Sequence, residues 1–289
     1  MKPAAPAYTP ESVERGYNNR AAVPEHPQHF AEWARRSRAT IAALAPQLDV
    51  RFGPNPKETL DLFVPDAPAR GTLAFFHGGY WRALDKSDHA FVAEPFVAAG
   101  YAVAVVNYDL CPSVTIATIV DECRRAIAWL VKEGPARGAP APIVASGHSA
   151  GGQIVAMLFA TEWRGHGLDA SPLSGGVTLS GVHDLEPLVL STMNVDLKLD
   201  AEKARRVSPV NFAPTTRAPL YVAAGADETP EFLRQAALMF DAWPDNRPAH
   251  MTAPRFFAGR NHFTVLLDYA DPASELTRAT LALFAAPRG

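Results

Sequence analysis

Residues Val144 to Ile154 read VASGHSAGGQI, a short apolar run that leads into a G-x-S-x-G box and then into an apolar helical pattern. This order of strand, tight turn and helix is the context in which the serine of such a box, here Ser149, becomes a nucleophile. Glycines are needed at Gly147 and Gly151 because side chains two positions from the serine would clash in so strained a turn. The helix that starts there points free N–H groups at developing negative charge. The stretch therefore predicts a nucleophilic serine at a strand-to-helix turn.

A second motif, HGGYW from His77 to Trp81, follows the apolar run Leu73 to Phe76. Its glycines allow the backbone to turn so that N–H groups face a substrate carbonyl oxygen. A His-Gly-Gly loop after an early strand, followed much later by G-x-S-x-G, resembles the oxyanion arrangement of lipase- and esterase-like α/β-hydrolases. The alternative, ordinary turn glycines after a strand, is less compatible with the presence of both motifs.

The composition is that of a soluble globular protein. The 289 residues are 48% hydrophobic, so one domain, residues 1–289, can bury about three quarters of its unfolded surface. A net charge of −3 gives no electrostatic reason to expect nucleic acid or an anionic membrane as a partner. Residues 1–10 lack the features of a signal peptide and no apolar run reaches spanning length, so we expect a cytoplasmic protein. Cys111 and Cys123 are too few for a disulfide framework and are expected to be reduced packing residues.

Strand and helix patterns alternate along the chain. The segment from Tyr8 to Leu44 is predicted to be helical in two pieces, broken near Pro24 and Pro27. Strands are predicted over 49–52, 59–64, 72–76, 102–108, 143–146, 176–179, 220–224 and 255–257. Helices are predicted over 90–99, 115–132, 152–161, 230–241 and 274–284.

This alternation predicts an α/β fold. The early strands follow each other directly and the later ones alternate with helices. We therefore expect a mostly parallel sheet of about eight strands, covered on both faces by helices, with antiparallel strands at its start. An N-terminal helical segment, residues 1–45, precedes this sheet. Residues 185–214 form a long excursion after a strand, expected to be a cap over the active site.

Nine histidines compete for the role of the base that a nucleophilic serine needs. His148 lies within the turn, where its side chain should point away, and His77 opens the oxyanion loop and is expected to brace its backbone. Only His262 follows the last predicted strand, which is where chain order places the base in this architecture. Five others are expected to be surface residues: His26, His29, His89, His166 and His250.

The acid that orients this base has three candidates. Strand 220–224 runs into Asp227 and Glu228, and only one of them can face the histidine because consecutive side chains diverge. Asp227 could instead cap the helix that begins near Pro230. Asp184, after the preceding strand, is less favoured. Glu228 is preferred, and the three remain open on these grounds.

Five segments together resemble the kynurenine formamidase (arylformamidase) branch of the α/β-hydrolases. They are HGGYW, GHSAG, SGVHDL from Ser180 to Leu185, PEF from Pro230 to Phe232, and YNNR from Tyr17 to Arg20. The similarity runs from about Tyr8 to Phe284. The H-G-G-x-W pattern is its specific element, since the wider esterase group has a third glycine where this chain has Tyr80.

The resemblance also bears on the acid and on the oxyanion hole. In the family the acid lies three residues after a Gly and two before the Pro of a PEF-like stretch, and both counts lead to Glu228. Eukaryotic members more often have Asp at this position, a departure of this chain from their pattern. The same registration implies the amides of Gly79, Tyr80 and Ala150 as oxyanion donors. The implied catalytic residues are Ser149, Glu228 and His262.

The implied function is that of a metal-independent serine hydrolase that removes a small acyl group from an aryl amide or ester, such as N-formylkynurenine. Trp81 is expected to contact the substrate and, with Tyr80 and residues 185–214, to enclose a small acyl pocket, the alternative being a core aromatic. A general short-chain carboxylesterase is the rival enzyme. A hydrolase-fold binding protein without catalysis is the third alternative, although a binding module has no use for a strained serine.

No cofactor or metal is expected. No histidine pair has a convincing ligand pattern, and the His26-x-x-His29 spacing is typical of a helix start. Neither a nucleotide-binding glycine pattern nor a phosphate loop is present. The expected partner is a small acyl amide or ester, with no nucleic acid and no membrane, and a homodimer is left open.

Overall fold

The apolar runs form the strands of one central sheet. In the computed structural model, which describes residues 7–285, the strands are β1 (Gln47–Arg51), β2 (Thr59–Phe63), β3 (Thr72–Phe76), β4 (Ala102–Val106), β5 (Ile143–His148), β6 (Leu173–Leu179), β7 (Leu220–Gly225) and β8 (Arg255–Phe257). The first six and last four residues of the predicted single domain, and with them the start of the predicted N-terminal segment, lie outside the described residues. Strands β2 to β7 are buried at every position.

The strand order in the sheet is β1-β2-β4-β3-β5-β6-β7-β8. Strand β2 is antiparallel to both of its neighbours, and all other neighbouring pairs are parallel. The expectation of a mostly parallel sheet of about eight strands with antiparallel pairing at its start is confirmed. The carboxyl ends of β3, β5, β6, β7 and β8 meet along one edge, where ligands bind in open α/β sheets.

Helices cover both faces of the sheet. The α-helices among residues 7–285 are α1 (Pro10–Tyr17), α2 (Asn19–Ala22), α3 (His26–Leu44), α4 (Glu94–Ala98), α5 (Ile116–Glu133), α6 (Ala150–Phe159), α7 (Asn194–Leu197), α8 (Ala201–Arg206), α9 (Pro230–Ala242) and α10 (Glu275–Ala282). Successive residues of β4 pack into two different cores because strand side chains alternate between faces. Ala104 and Val106 pack with residues of α5, α6 and α9, whereas Val103 and Val105 pack with residues of α3, α4 and α10.

The N-terminal segment differs from its prediction, because it has three helical pieces rather than two. The additional break falls at Asn18, whose Oδ1 accepts the Ala21 N–H at 3.0 Å and so caps α2. Pro27 lies in the first turn of α3, where a missing N–H costs nothing. The second break covers residues 23–25 and so falls at Pro24 as predicted, whereas Pro27 lies inside α3.

Strand β6 begins at Leu173, three residues before its predicted start. Gly175 and Gly176 interrupt the apolar pattern, so the sequence alone does not indicate a strand there. A Cβ atom on Gly176 would lie 2.5 Å from the Phe159 ring, and one on Gly175 would lie 2.8 Å from Leu283 Cβ. Close packing of helices on both faces therefore excludes a side chain at these two positions.

The excursion after β6 holds two short helices, α7 and α8, and two 3₁₀ turns, Glu186–Leu190 and Pro209–Asn211. The predicted helix 90–99 is a 3₁₀ turn, Ala90–Ala93, followed by α4. No helix within residues 7–285 is long and apolar enough to cross a membrane.

Candidate active site

Ser149 occupies a strained turn between β5 and α6. Its backbone has φ 57° and ψ −116°, outside the regions that L-residues favour. A Cβ on Gly147 would lie 2.1 Å from the Gly151 carbonyl oxygen, and one on Gly151 would lie 2.0 Å from that of Phe76. Only glycine fits at either position, as the clash argument predicts. The Ser149 N–H donates to the Leu179 carbonyl at 2.9 Å, which fixes the turn to β6.

Glu228 and His262 form a hydrogen-bonded pair beside this turn. Glu228 follows β7 and His262 follows β8, and His262 Nδ1 lies 2.6 Å from Glu228 Oε2. When Nδ1–H donates to the carboxylate, Nε2 is left as the basic nitrogen. Ser149 and His262 line the same cavity. Among the hydrogen bonds of the described residues, none joins the side chains of Ser149 and His262. In enzymes, hydrogen bonds between catalytic groups are often completed only when the substrate binds.

The loop that carries His262 is held by its neighbours. Asn261 Oδ1 accepts the N–H groups of Phe263 and Thr264, each at 2.9 Å. His148 was expected to point away from the site, but it lines the cavity and donates Nε2–H to the His262 carbonyl oxygen at 2.8 Å. Burial, reinforced by the nearby His262 and His89, holds the pKa of His148 well below its usual range. His148 is therefore a neutral donor that fixes the loop of His262 to the turn at Ser149.

The competing acids lie elsewhere. Asp227 is exposed, and its N–H donates to the Arg260 carbonyl at 3.0 Å. It does not cap α9, because the N-cap residue is Thr229 and makes no side-chain capping bond. Asp184 lies 3.7 Å from Arg234 Nη2 and accepts the Glu186 N–H at 3.2 Å. Of the three candidates, Glu228 is the one whose carboxylate is bonded to His262.

The second oxygen of Glu228 has partners that the sequence analysis missed. Glu228 Oε1 accepts the Ser180 hydroxyl at 2.5 Å and the Gly225 N–H at 2.7 Å. Ser180 follows β6 directly and is fully buried. The signal in the sequence is its position directly after a strand that neighbours β7, at the same edge of the sheet as Glu228.

The HGGYW loop lies against Ser149. Gly79, Tyr80 and Trp81 have φ values of 105°, 50° and 55°, and a Cβ on Gly78 would lie 3.1 Å from Ser149 Cβ. Gly79 and Tyr80 line the cavity together with Ser149. Among the backbone hydrogen bonds of residues 7–285, none uses the N–H of Gly79, Tyr80 or Ala150 as its donor. Ala150 is the first residue of α6, where helical N–H groups have no internal acceptor.

His77 braces this loop from behind. Its Nδ1 lies 2.7 Å from the Gly78 carbonyl oxygen and its Nε2 lies 3.1 Å from Asn107 Oδ1. The Tyr108 hydroxyl donates to the His77 carbonyl oxygen at 2.7 Å, and the two rings stack with centroids 4.2 Å apart. His89, expected at the surface, is buried and stacks on the other side of His77 at 5.5 Å. A packed column of rings therefore supports the unusual backbone of the loop.

Trp81 lies in the core and not in the cavity wall. Its side chain is fully buried, its Nε1–H donates to Gln153 Oε1 at 3.1 Å, and its carbonyl accepts the Cys111 N–H at 2.7 Å. The cavity is lined by its neighbours Tyr80 and Arg82. The prediction that Trp81 contacts the substrate disagrees with this placement, because the loop directs the indole toward α6. The alternative, a core aromatic, describes it.

The cavity has a volume of about 630 Å³ and its wall comes largely from the N-terminal segment. That segment contributes Glu14, Tyr17, Asn18, Asn19, Arg20, Ala21, Phe30 and Trp33. The excursion over residues 185–214, expected to cover the site, contributes Thr192 and Met193. The site is therefore covered mainly by helices α1 to α3.

Two charged side chains stand at this wall. Arg20 is exposed, its guanidinium lies 5.6 Å from the Phe30 ring centroid, and no ion pair of the described residues includes it. Glu14 accepts hydrogen bonds from Asn18 Nδ2 at 2.7 Å and from Thr192 Oγ1 at 2.9 Å. Partial burial acts to raise the pKa of Glu14, but these hydrogen bonds outweigh it and the pKa is lowered. This wall thus presents a cation and an ionised carboxylate, while Arg82, a second cation at the cavity, is ion-paired with Asp196.

Metal ligands are not grouped in the part of the chain that the structure describes, where no three His, Cys, Asp or Glu side chains are placed to hold an ion. Cys111 and Cys123 are both free and buried. Burial raises the pKa of the Cys111 thiol to about 11.

The chain is similar to proteins of the α/β hydrolase fold. A family model described as the α/β hydrolase fold matches residues 73–227. A kynurenine formamidase from Danio rerio is 30% identical over 203 residues, which cover 68% of this chain and 68% of that protein. A kynurenine formamidase from Salmo salar is 26% identical over 268 residues, 90% of this chain and 88% of that protein.

A solved structure is also similar to this chain over most of its length. The crystal structure of a candidate thioesterase from Silicibacter sp. tm1040 has a TM-score of 0.81 and 32% identity, and the match covers 93% of this chain and 97% of that one. The family model spans more than half of the chain, and the formamidase relatives span most of it. The protein is therefore a hydrolase that acts on an ester or amide bond. It belongs to the α/β-hydrolase fold family, within the kynurenine formamidase-like branch.

Proposed function

We propose that the protein is a metal-independent serine hydrolase that removes a small acyl group, formyl above all, from an aryl amide. The observation that carries the proposal is the 2.6 Å contact of Glu228 with His262, whose side chain lines the same cavity as Ser149. The strained backbone of Ser149 has no structural need for a serine. Ser149 is the nucleophile and His262 is the base. Glu228 orients the imidazole and stabilises the imidazolium that forms during the reaction.

The reaction has two halves. Ser149 Oγ attacks the acyl carbon while His262 Nε2 takes the hydroxyl proton. The N–H groups of Gly79, Tyr80 and Ala150 stabilise the oxyanion, each such donor being worth about 10²–10³ in rate. The C–N bond then breaks, its electron pair stays on the amine nitrogen, and His262 returns the proton to that nitrogen.

In the second half, water hydrolyses the acyl-enzyme. His262 takes a proton from the water as its oxygen attacks the ester carbon, and the same proton passes to Ser149 Oγ as the ester bond breaks. The products are the free aryl amine and the small acid, formate for a formamide. Glu228 stays ionised throughout, because its role is to stabilise the imidazolium and not to accept the proton.

The cavity wall supports an aromatic amino acid as the leaving group, N-formylkynurenine being the model substrate. Phe30, Trp33 and Phe263 provide aromatic surface for the ring. Arg20 and Glu14 complement a carboxylate and an ammonium group, charges that a simple ester lacks. The formamidase names of the relatives point to the same substrate class.

Substrate comparison tests this proposal. We expect kcat/KM for N-formylkynurenine to exceed that for p-nitrophenyl acetate, and both to exceed that for p-nitrophenyl butyrate, because each added methylene crowds a small acyl site. The measurement is steady-state kinetics with matched protein samples. Rapid hydrolysis of both p-nitrophenyl esters without turnover of N-formylkynurenine would instead favour a short-chain carboxylesterase, the candidate toward which the thioesterase-like structural neighbour points.

Ser149→Ala tests the serine mechanism. Removal of a triad nucleophile lowers the rate on the order of 10⁶-fold, whereas the loss of one small hydroxyl at the cavity changes stability little. A fluorophosphonate should label Ser149 of the parent and leave the variant unlabelled, and thermal unfolding of the two should coincide. A variant that retained most of its activity on every substrate would rule out the serine mechanism. A parent that neither reacted with the probe nor turned over any substrate would favour a binding protein.

A further inference from the structure

Glu228 needs an anchor that a shorter acid would not. Glutamate has one more rotatable bond than aspartate, so its carboxylate can rotate away from His262. In this protein one oxygen faces His262 at 2.6 Å and the other accepts two hydrogen bonds, from the Ser180 hydroxyl at 2.5 Å and the Gly225 N–H at 2.7 Å. The carboxylate is therefore held at both ends.

Ser180 adopts an unusual backbone conformation to make this contact. Its φ is 52°, in the left-handed region that non-glycine residues rarely occupy, and its N–H donates to the Ala223 carbonyl at 2.7 Å. Glycine would remove the strain at no steric cost. What glycine cannot provide is the hydroxyl, and the hydroxyl is bonded to Glu228. Ser180 is fully buried and is not among the residues that line the cavity, so this contact does not involve the substrate directly.

We propose that Ser180 is a positioning residue of the hydrolase, whose hydroxyl aligns Glu228 with His262. The inference rests on the proposed serine mechanism and adds a fourth side chain to it. With the Gly225 N–H, the Ser180 hydroxyl fixes the rotation of the carboxylate about its last two bonds. Without the hydroxyl, Glu228 Oε2 spends less time in line with His262 Nδ1, and the imidazole is less often correctly oriented.

Two substitutions separate the hydroxyl from the backbone strain. Ser180→Ala removes only the hydroxyl, and Ser180→Gly removes it and also relaxes φ. Hydrogen bonds to charged groups are typically worth a factor of about 10–100, so both variants should lose that much in kcat while KM for p-nitrophenyl acetate stays within about twofold. Should Ser180→Ala fail to fold, the Gly variant gives the same readout. A kcat near that of the parent in either folded variant would overturn the proposal.

Ser174→Ala is the matched control. Ser174 is also a buried serine of the β6 segment, but its hydroxyl donates to the Ile143 carbonyl at 3.0 Å, at the other end of the strand. Its replacement should leave kcat unchanged. If Ser174→Ala lowered kcat as much as Ser180→Ala, the loss would reflect general loosening of β6 and the positioning role would be refuted.

A double-mutant cycle with Glu228→Ala identifies the partner. Once the carboxylate is gone, Ser180→Ala should cost less than about twofold in kcat, because its hydroxyl then has nothing to align. Additive losses would mean that Ser180 acts independently of Glu228, against the proposal. Fluorophosphonate labelling of the parent distinguishes failure of the proposed serine mechanism from failure of the proposed role of Ser180. A parent unlabelled at Ser149 contradicts the serine mechanism, whereas a labelled parent with an unaffected Ser180→Ala variant contradicts only the role of Ser180.

Discussion

Two carboxylates follow strand β7, and their environments differ. Glu228 is buried and bonded to His262, while the neighbouring Asp227 is exposed. We expect Glu228→Gln to lower kcat by about 10³–10⁴, because the imidazole loses its charge partner and its correct tautomer. Asp227→Asn, the isosteric control one residue away, should cost less than about tenfold because an exposed charge is screened. Steady-state kinetics on one substrate decides between them, and the opposite ranking would assign the acid to Asp227.

Trp81 of the HGGYW motif is a packing residue. The indole of Trp81 is buried with its N–H on Gln153, whose own amide donates to the Val207 carbonyl at 2.7 Å. This chain of hydrogen bonds links the HGGYW loop to α6 and to the excursion. The specific W of the motif therefore supports the loop that presents the Gly79 and Tyr80 amides. Of these two aromatic residues, Tyr80 lines the cavity and Trp81 does not.

At the scale of elements, α1 and α2 form a wall that contacts distant parts of the chain. The Tyr17 hydroxyl donates to Glu231 Oε1 at 2.7 Å, Thr229 Oγ1 donates to the Gly16 carbonyl at 2.6 Å, and the Tyr80 hydroxyl donates to the Tyr17 carbonyl at 2.5 Å. These bonds attach α1 both to the start of α9 and to the HGGYW loop. They also explain the PEF stretch, since its glutamate holds the N-terminal segment.

Arg20 at the end of this wall should select the charged substrate. We expect Arg20→Ala to raise KM for N-formylkynurenine about threefold to tenfold and to leave KM for p-nitrophenyl acetate unchanged. The effect is modest because an exposed cation is screened by water and salt. Arg20→Lys, which keeps the charge, should recover most of the affinity. Equal changes of KM for both substrates would mean that the variant distorts the wall and does not remove a charge contact.

At the scale of the whole molecule, the interior holds neutral histidines. Burial lowers the pKa of His89 and of His183 to about 3, and that of His148 well below its usual range. When the chain unfolds, each returns to a pKa of about 6.5. Such a residue stabilises the fold fully above its unfolded pKa, and this contribution is lost as the pH falls toward the folded pKa, since only the unfolded chain then binds the proton.

Stability should therefore fall on mild acidification. For three histidines the free energy of unfolding at pH 5.5 should be up to about 4 kcal/mol below its value at pH 7.5. Urea unfolding at the two pH values measures the difference. His183→Gln should remove about a third of it, because one titrating group is gone. A free energy of unfolding that stayed constant between these pH values would contradict the prediction that these histidines remain neutral in the folded protein.

Local sequence patterns predicted much of this architecture. Alternating apolar runs predicted eight strands and most helix positions, because strand and helix periodicity depends on residues only a few positions apart. The steric need for Gly147 and Gly151 marked the turn at Ser149, and chain order pointed to His262. Boundaries were less accurate where a distant contact decides them, as at β6, whose glycines fit beneath Phe159 and Leu283.

By itself, then, the sequence determined the sheet, and its short motifs pointed to the family, to Ser149 and to His262, because each has a signature within a short stretch. Glu228 was one of three candidate acids and was favoured through the family resemblance; its contact with His262 is a feature of the tertiary structure. Tertiary structure decided what surrounds these residues. The contact of Tyr17 with Glu231 joins residues 214 positions apart, and that of Ser180 with Glu228 joins residues 48 apart. Whether Trp81 faces the cavity or α6 depends on the backbone path of a loop with three successive positive φ values. No local pattern encodes such contacts, because they arise only when separate elements pack against one another.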